Sequence, residues 1–322
     1  MISRPVEISQ EPLHIAVRRE QLVLIGRDAD KGRSERASIP CEDLGILLVD
    51  HLGTTFTLAA LTTLMRHHAA VVLCGANHLP AGLVLPFSDH SDVVRRLNLQ
   101  IAASKPLRKR LWKQIVQAKI RGQAANLPDR SPERSRLLAL ARTVRSGDTA
   151  NSEAQAARIY WSIWLALDSP PMDEATCQGI LEKGSVRFRR DPDGHAPNNL
   201  LNYGYAVMRA AVARALVAVG LHPALGLAHS NRGNAFCLAD DFVEPLRPVV
   251  DARVRELYGD SHYDLTPHVK QALLELLAIE IECEGERGPL TVALHRMAAS
   301  YVACLEGTSQ RLRLPDWGAA AC

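Results

Sequence analysis

The chain has 322 residues, 47% hydrophobic and 23% charged, with a net charge of +3. That composition is normal for a folded soluble protein of one large or two ordinary domains. It excludes a membrane-spanning chain, because no apolar run approaches the roughly 20 residues such a helix needs. The opening MISRPVEISQEPLHIAV has no continuous apolar stretch after its arginine, so no secretory signal is expected. Seven cysteines, at 41, 74, 177, 237, 283, 304 and 322, are widely spaced and form no CxxC pair. They read as reduced thiols of a cytoplasmic protein, with neither a disulfide framework nor a zinc site.

In chain order, LHIAVRREQLVLIG carries two β-rich runs around a polar turn, which predicts a hairpin. LGILLVD and AVVLCG are short apolar runs bounded by turn residues, the pattern of buried strands. Between them TLAALTTLMRHH has helical spacing. HLPAGLVLPF adds a strand punctuated by proline and glycine. After SDHSD the apolar period becomes mostly 3.6, with long helices predicted in RKRLWKQIVQAKIRGQAANL and EAQAARIYWSIWLAL. SPPMDEATCQG and RRDPDGHAPN read as loops. Further helices are expected over 200–219, 242–257, 266–284 and 291–305, and a poorly ordered tail after them. The fold class expected is α+β: a small β-rich N-terminal domain over 1–87, then a larger all-α domain over 92–322.

Charge is unevenly spread. Between Arg95 and Arg145 there are 14 Lys/Arg against Asp129 and Glu133. The segment is therefore +12 and the rest of the chain −9. Such a block is a solvated helical surface or a track for a polyanion. Arg108, Lys109, Arg110, Lys113, Lys119 and Arg121 crowd one helical stretch within it, and their spacing spreads them over more than one face.

Three stretches can carry chemistry. Glu153 opens a helix, where an acid meets the helix dipole and Ser152 or Asn151 can cap. His229 ends an apolar stretch and is followed by the turn Asn231-Arg232-Gly233-Asn234. Asp241 and Glu244 fit a capping box, with Asp241 as N-cap and Asp240 exposed beside it. Pro245 and Pro248 make that helix start irregular. Alternatively, the carboxylates and the imidazole form one divalent-metal site suited to Mg²⁺ or Mn²⁺ and to phosphoryl chemistry. No GxxxxGK[ST] motif is present, so an ATP-driven reaction has no support.

The chain resembles the CRISPR-associated integrase family, the universal adaptation protein (CRISPR-associated protein one), most closely its type II branch. The resemblance rests on several stretches in the right order: LVDHLGTTFTLAALTTLMRHHAAVVLCGANHLPAGLVLPF, LWKQIVQAKIRGQA, EAQAARIYW, NNLLNYGYAVM and GLHPALGLAH…FCLADDFVEPLRPVVD. The family's usual FRP is Leu246-Arg247-Pro248 here, and SNRGNA after His229 still supplies Arg232 and Gly233. The resemblance implies that Glu153, His229 and Glu244 are ligands of Mg²⁺ or Mn²⁺, with Asp241 a supporting acid and the turn holding Arg232 facing DNA. It implies a metal-dependent endonuclease and integrase that joins DNA 3′-hydroxyl ends to a repeat array by transesterification. It further implies a homodimer formed through the N-terminal domain, two of which flank a dimer of the small second adaptation protein in a heterohexamer. A stand-alone nuclease for branched DNA and a non-catalytic DNA-binding subunit are the competing readings.

Overall fold

In a computed structural model of the chain, residues 4–28, 32–87, 90–165, 188, 190–191 and 194–315 are described. The loop expected over 169–179 lies outside the described residues, as does the tail from 316; the first part of the tail expected to be poorly ordered, RLRLP over 311–315, is instead docked, with Leu312 buried and the N–H groups of Leu312 and Arg313 donating to Gln114 Oε1 and Ser300 Oγ at 2.9 Å each. Strands dominate the first quarter: β1 (Arg4–Ile8), β2 (His14–Arg18), β3 (Gln21–Asp28), β4 (Gly32–Pro40), β5 (Leu44–Val49), β6 (Thr55–Phe56), β7 (Ala70–Cys74) and β8 (Pro80–Val84). The predicted hairpin is β2 with β3, antiparallel, and its turn residues Arg19 and Glu20 both have positive φ, 49° and 59°. That backbone matches the twist of a two-residue hairpin turn. One sheet runs β4-β3-β2-β6 and the other β1-β5-β7-β8. Helix α1 (Leu58–Arg66) starts where the Thr57 hydroxyl accepts a hydrogen bond from the Ala60 N–H at 3.1 Å.

The two apolar runs are explained by burial on both faces. Leu47, Val49 and Val71 point into a core shared with Ile15, Leu22, Leu24 and Leu64. Ile46, Leu48, Ala70 and Val72, one residue out of step, join the core of the helical part. A strand whose successive side chains enter two cores must be apolar throughout. The second sheet is thus a shared wall.

Among the described residues the further α-helices are α2 (Val93–Ala102), α3 (Lys105–Ala125), α4 (Pro132–Thr143), α5 (Ser152–Ile163), α6 (Asn198–Ala218), α7 (Cys237–Val243), α8 (Arg247–Gly259), α9 (Pro267–Leu274) and α10 (Leu290–Leu305). The Ser104 hydroxyl caps α3 and Pro106 sits in its first turn, which separates it from α2. α6 is buried around most of its circumference and packs against α7, α8, α9 and α10. A Cβ on Gly204 would lie 2.5 Å from Val250 Cγ1, so this glycine is what lets α6 and α8 approach.

Three expectations need correction. The helical part is not all-α: β9 (Glu280–Cys283) and β10 (Glu286–Pro289) form an antiparallel hairpin. The helix expected over 266–284 stops at Leu274 and tightens into a 3-10 turn over Glu275–Ala278. From Ile279 the sequence IEIEC alternates with period 2, and Glu284-Gly285, both at positive φ, makes the turn. The helix expected over 242–257 is broken. α7 ends at Val243, Glu244–Leu246 is a 3-10 turn and α8 follows. Pro248 cannot donate to the Glu244 carbonyl, and in a continuous helix its ring would strike it.

At the seam between the shared sheet and α9, Asp50 and Lys270 form a buried ion pair, and His78 Nδ1 lies 3.1 Å from Asp50 Oδ1. Removing one partner of such a pair strands the other charge. Lys270→Met should cost about 3–5 kcal/mol of unfolding free energy in urea titrations. Glu7, beside this pair, has its carboxyl pushed up to about 7, mainly by burial, while Ser9 and Lys270 pull it down. Its folded pKa exceeds the ordinary value of 4.5, so its contribution to stability is complete below about pH 4.5 and is lost as pH rises through about 7. Relative to Glu7→Gln, the wild-type chain should lose at most about 1.4 kcal/mol per pH unit across that window. Parallel urea midpoints from pH 4 to 8 measure it.

Candidate functional site

α3 is the spine of the site. On a period of 3.6, Trp112, Ile115, Val116 and Lys119 share one side, while Arg110, Lys113, Gln117 and Arg121 share the other. The first side packs against α5 and the Glu244 turn. Lys119 is only 9% exposed, and its Nζ lies 2.5 Å from Glu153 Oε1 and 2.5 Å from Glu244 Oε2. Burial alone would lower the lysine pKa; Glu244, then Glu153, outweigh that and raise it. Lys119 is therefore a charged member of the acid site, and the expectation that it contacts DNA from a solvated face is corrected.

Glu153 is held in the first turn of α5, but neither Asn151 nor Ser152 caps that helix. Asn151 is left-handed at φ 54°, and the Asp148 carboxylate accepts from the Ser152 N–H at 2.8 Å and the Glu153 N–H at 3.0 Å. Glu244 sits at the proline-broken corner. Its Oε1 accepts from Arg247 Nε at 2.9 Å, and its Oε2 is buried, makes no well-directed hydrogen bond and faces Lys119. Burial favours the protonated acid, yet Arg247 and Lys119 prevail and hold the carboxyl at about 2. The Arg247 guanidinium lies 4.3 Å over the Tyr205 ring, and the Tyr205 hydroxyl donates to Asp251.

The capping-box reading of Asp241 and Glu244 does not hold. Asp241 lies inside α7, fully buried, and reaches back to the preceding loop. Its Oδ2 accepts from the N–H groups of Leu227 (2.5 Å) and Ala228 (3.2 Å), and its Oδ1 from that of His229 (3.1 Å). The same Oδ1 lies 2.7 Å from His229 Nδ1. Gly226 permits this wrap, since a Cβ there would come within 2.3 Å of the His229 carbonyl oxygen and 2.9 Å of Asp241 Oδ2. Asp240 is also buried rather than exposed, 2.6 Å from both Arg209 Nε and Asn234 Nδ2.

The His229 side chain remains 44% exposed, with Trp112 of α3 edge-on at 5.9 Å. Its bond to Asp241 raises the imidazole pKa against partial burial, with Glu244 adding a smaller push. Asp241 thereby fixes Nδ1 and leaves Nε2 as the ring nitrogen that it does not engage. The three expected ligands are only partly gathered. Glu153 and Glu244 converge on one cation, but among the described residues no group of three His, Cys, Asp or Glu side chains is arranged to hold a metal ion.

Of the basic residues, Arg110, Lys113 and Arg121 line a cleft of about 770 Å³ with Arg311 and Gln310, on the face of α3 opposite Lys119. Arg108 is half-buried, and Lys109 is exposed with its stem against Gly147. Arg232 is exposed in the turn after His229. Lys119, Arg247, Trp112 and Asp148 carry parts of the site that residue spacing did not assign. Lys119 left a signal: it is the one cation in the apolar run between Ile115 and Ile120.

A mixed α and β chain that brings one buried and one partly exposed acid onto a lysine, beside a carboxylate-oriented imidazole, belongs to a definable class. The family model described as CRISPR associated protein Cas1 matches residues 7–269. The chain is 36% identical over 307 residues to a CRISPR-associated endonuclease Cas1 of Neisseria meningitidis serogroup C (strain 8013), covering 94% of this chain and 92% of that protein. Its fold is similar to that of a casposase bound to integration product, with a TM-score of 0.76 at 19% identity, covering 99% of this chain and 94% of that one. It is also similar to a chain of a Cas6-RT-Cas1–Cas2 complex, with a TM-score of 0.70 at 18% identity, covering 97% of this chain and 36% of that one. The chain belongs to the Cas1 family.

Asp241 accepts from three backbone N–H groups, and truncating it removes that acceptor from all three, the buried Leu227 included. Asp241→Ala should lower unfolding free energy by at least about 3 kcal/mol in urea. A loss below about 1 kcal/mol would show that the loop is held by something else.

Proposed function

We propose that this chain is a metal-dependent DNA integrase and endonuclease of CRISPR adaptation. It joins the 3′-hydroxyl ends of short DNA fragments to a repeat array by transesterification. The observation that carries this reading is the convergence of Glu153 and Glu244 on a single cation beside an imidazole whose Nδ1 is fixed by Asp241. The donor types suit Mg²⁺ or Mn²⁺: Glu153 and Glu244 are the proposed oxygen ligands, and His229 is the proposed nitrogen ligand, which a bound ion would have to draw in, since the three are not gathered around one point. Such an ion, when bound, supplies charge for the scissile phosphate and the leaving oxygen. Glu244 arrives ionised, because its two cations keep it so at neutral pH. Asp241 keeps the imidazole in one orientation, so Nε2 is free either to ligate or to take the proton of the attacking hydroxyl. Exchange of one phosphodiester for another needs no ATP. The solved casposase in contact with integration product supports the integration reading, and the Neisseria relative's name supports the nuclease reading.

In this reading Arg108, Lys109, Arg110, Lys113, Arg121 and Arg232 contact double-stranded and branched DNA, and Lys119 is withdrawn from that set. The Cas1–Cas2 assembly of the similar structure supports a small Cas2-type partner, and a heterohexamer of two homodimers around a partner dimer is its proposed form. Residues 1–87 are the proposed dimerisation region; the outer edge of β4 is open in the described sheet and can pair with a second copy. Cutting the chain at residue 92 would uncover the helical core from Ile46, Leu48, Ala70 and Val72. Light scattering of the whole chain is therefore the better test, and should give twice 35.3 kDa.

The function is tested with fragments ending in a 3′-hydroxyl or a 3′-dideoxy sugar, with Mn²⁺ or EDTA. Joined product should need both the hydroxyl and the metal. Metal-dependent cutting without any joining would establish the nuclease instead, and neither activity would leave a binding subunit. Glu153→Gln and Glu244→Gln should each reduce joining by roughly a hundredfold or more while fragment binding persists.

Binding should weaken steeply with salt. Reversing the charge of Arg110, Lys113 and Arg121 together should flatten the slope of log K against log salt by about 0.9 per lost phosphate contact. Fluorescence anisotropy between 50 and 300 mM salt measures it, and an unchanged slope would remove the cleft from the DNA path.

A further inference from the structure

Lys119, Arg247, Glu153 and Glu244 form a linked charge set: two cations and two carboxylates, each facing an opposite charge within 2.9 Å. Counted by themselves these four charges cancel, and the buried Asp251 carboxyl, held by Tyr205, lies close enough to Arg247 and Lys119 for both cations to favour its ionised form. A divalent cation entering the set would add two positive charges, which a low-dielectric site disfavours unless a cation departs. One oxygen from each proposed ligand, Glu153 Oε1 and Glu244 Oε2, is held by Lys119 Nζ at 2.5 Å. An ammonium lodged between them sits where an ion bridging both would go, and its charge repels that ion. Arg247 is the less movable of the two cations, since it is stacked on Tyr205 and bonded to the other oxygen of Glu244. Lys119 is a flexible four-carbon stem with a point charge.

We infer that Lys119 is an internal competitor of the divalent ion: it holds Glu153 and Glu244 together in the metal-free protein and releases both oxygens when the ion binds. This rests on the metal reading of the site and adds to it a residue that sets metal affinity. Without such a cation, the buried Glu244 and the partly exposed Glu153 would repel each other, and Glu244 would keep only Arg247 as a partner. With it, the ligands are pre-gathered, at the cost of weaker metal binding.

The test uses the full chain, with free Mn²⁺ measured by electron paramagnetic resonance during titration of wild type, Lys119→Met and Glu244→Gln. Lys119→Met should bind Mn²⁺ roughly tenfold more tightly than wild type, because its binding no longer includes expulsion of an ammonium. In EDTA the variant should melt below wild type, and saturating Mn²⁺ should raise its melting temperature by more than it raises that of wild type. Equal or weaker Mn²⁺ binding by a folded Lys119→Met protein, with wild type binding one ion that Glu244→Gln loses, would overturn the inference and leave the metal reading intact. If Glu244→Gln bound Mn²⁺ like wild type, or none of the three bound it, the metal reading itself would fall, and this inference with it.

A second measurement on wild type covers a variant that does not fold. Acetic anhydride labelling read by mass spectrometry should show Lys119 protected in EDTA and several-fold more reactive as Mg²⁺ saturates. Lys270, buried against Asp50, should stay protected in both conditions. Lys119 remaining equally protected with Mg²⁺ bound would contradict displacement.

Discussion

Two carboxylates from different elements, Glu153 and the buried Glu244, are drawn to one point by the ammonium that stands between them. Glu153 comes from the first turn of α5 and Glu244 from the corner after α7, and Lys119 from α3 is what ties both to one point. Buried acids without compensation would take up protons. Glu244 instead stays ionised with its carboxyl at about 2, because Arg247 and then Lys119 outweigh its burial. The surrounding fold serves that arrangement. Pro245 and Pro248 break what would be one helix, and the break presents Glu244 to α3. The Asp148 carboxylate fixes the start of α5, and with it Glu153.

The imidazole is positioned by a separate device. Asp241 gathers a whole loop onto one carboxylate, and Gly226 is the residue whose missing Cβ allows it. The result is a histidine with one nitrogen assigned and the ring still open to solvent. Trp112 against that ring and Lys119 on the acids sit two turns apart on the same side of α3. One helix face therefore touches both halves of the site, which gives α3 a role its basic composition concealed.

Much of the architecture was legible in the sequence, because apolar period reports faithfully on burial. The runs LGILLV and AVVLC are strands shared between two cores, and the Arg-Arg-Glu-Gln turn closes the expected hairpin. Where the reading failed, two physical devices had the same spacing. Asp-x-x-Glu fits a capping box, but the same four residues here are a loop anchor and a ligand candidate facing different neighbours. Summing charge over Arg95 to Arg145 is blind to helix face, so buried Lys119 was counted with exposed Arg110 and Arg121. The β9–β10 hairpin was missed because its alternation is only a few residues long and follows a genuine helix. His229 was expected among the ligands, and sequence spacing could not show that its nearest partner is Asp241.

The central claim is that Glu153 and Glu244 are the oxygen ligands of one divalent ion. Anomalous scattering from Mn²⁺-soaked crystals tests it directly. A single strong peak between the two carboxylates, in reach of His229 Nε2, with the Lys119 side chain moved off both oxygens, is the predicted result. A peak elsewhere, with Lys119 still bridging Glu153 and Glu244 in crystals of protein that requires Mn²⁺ for activity, would contradict it.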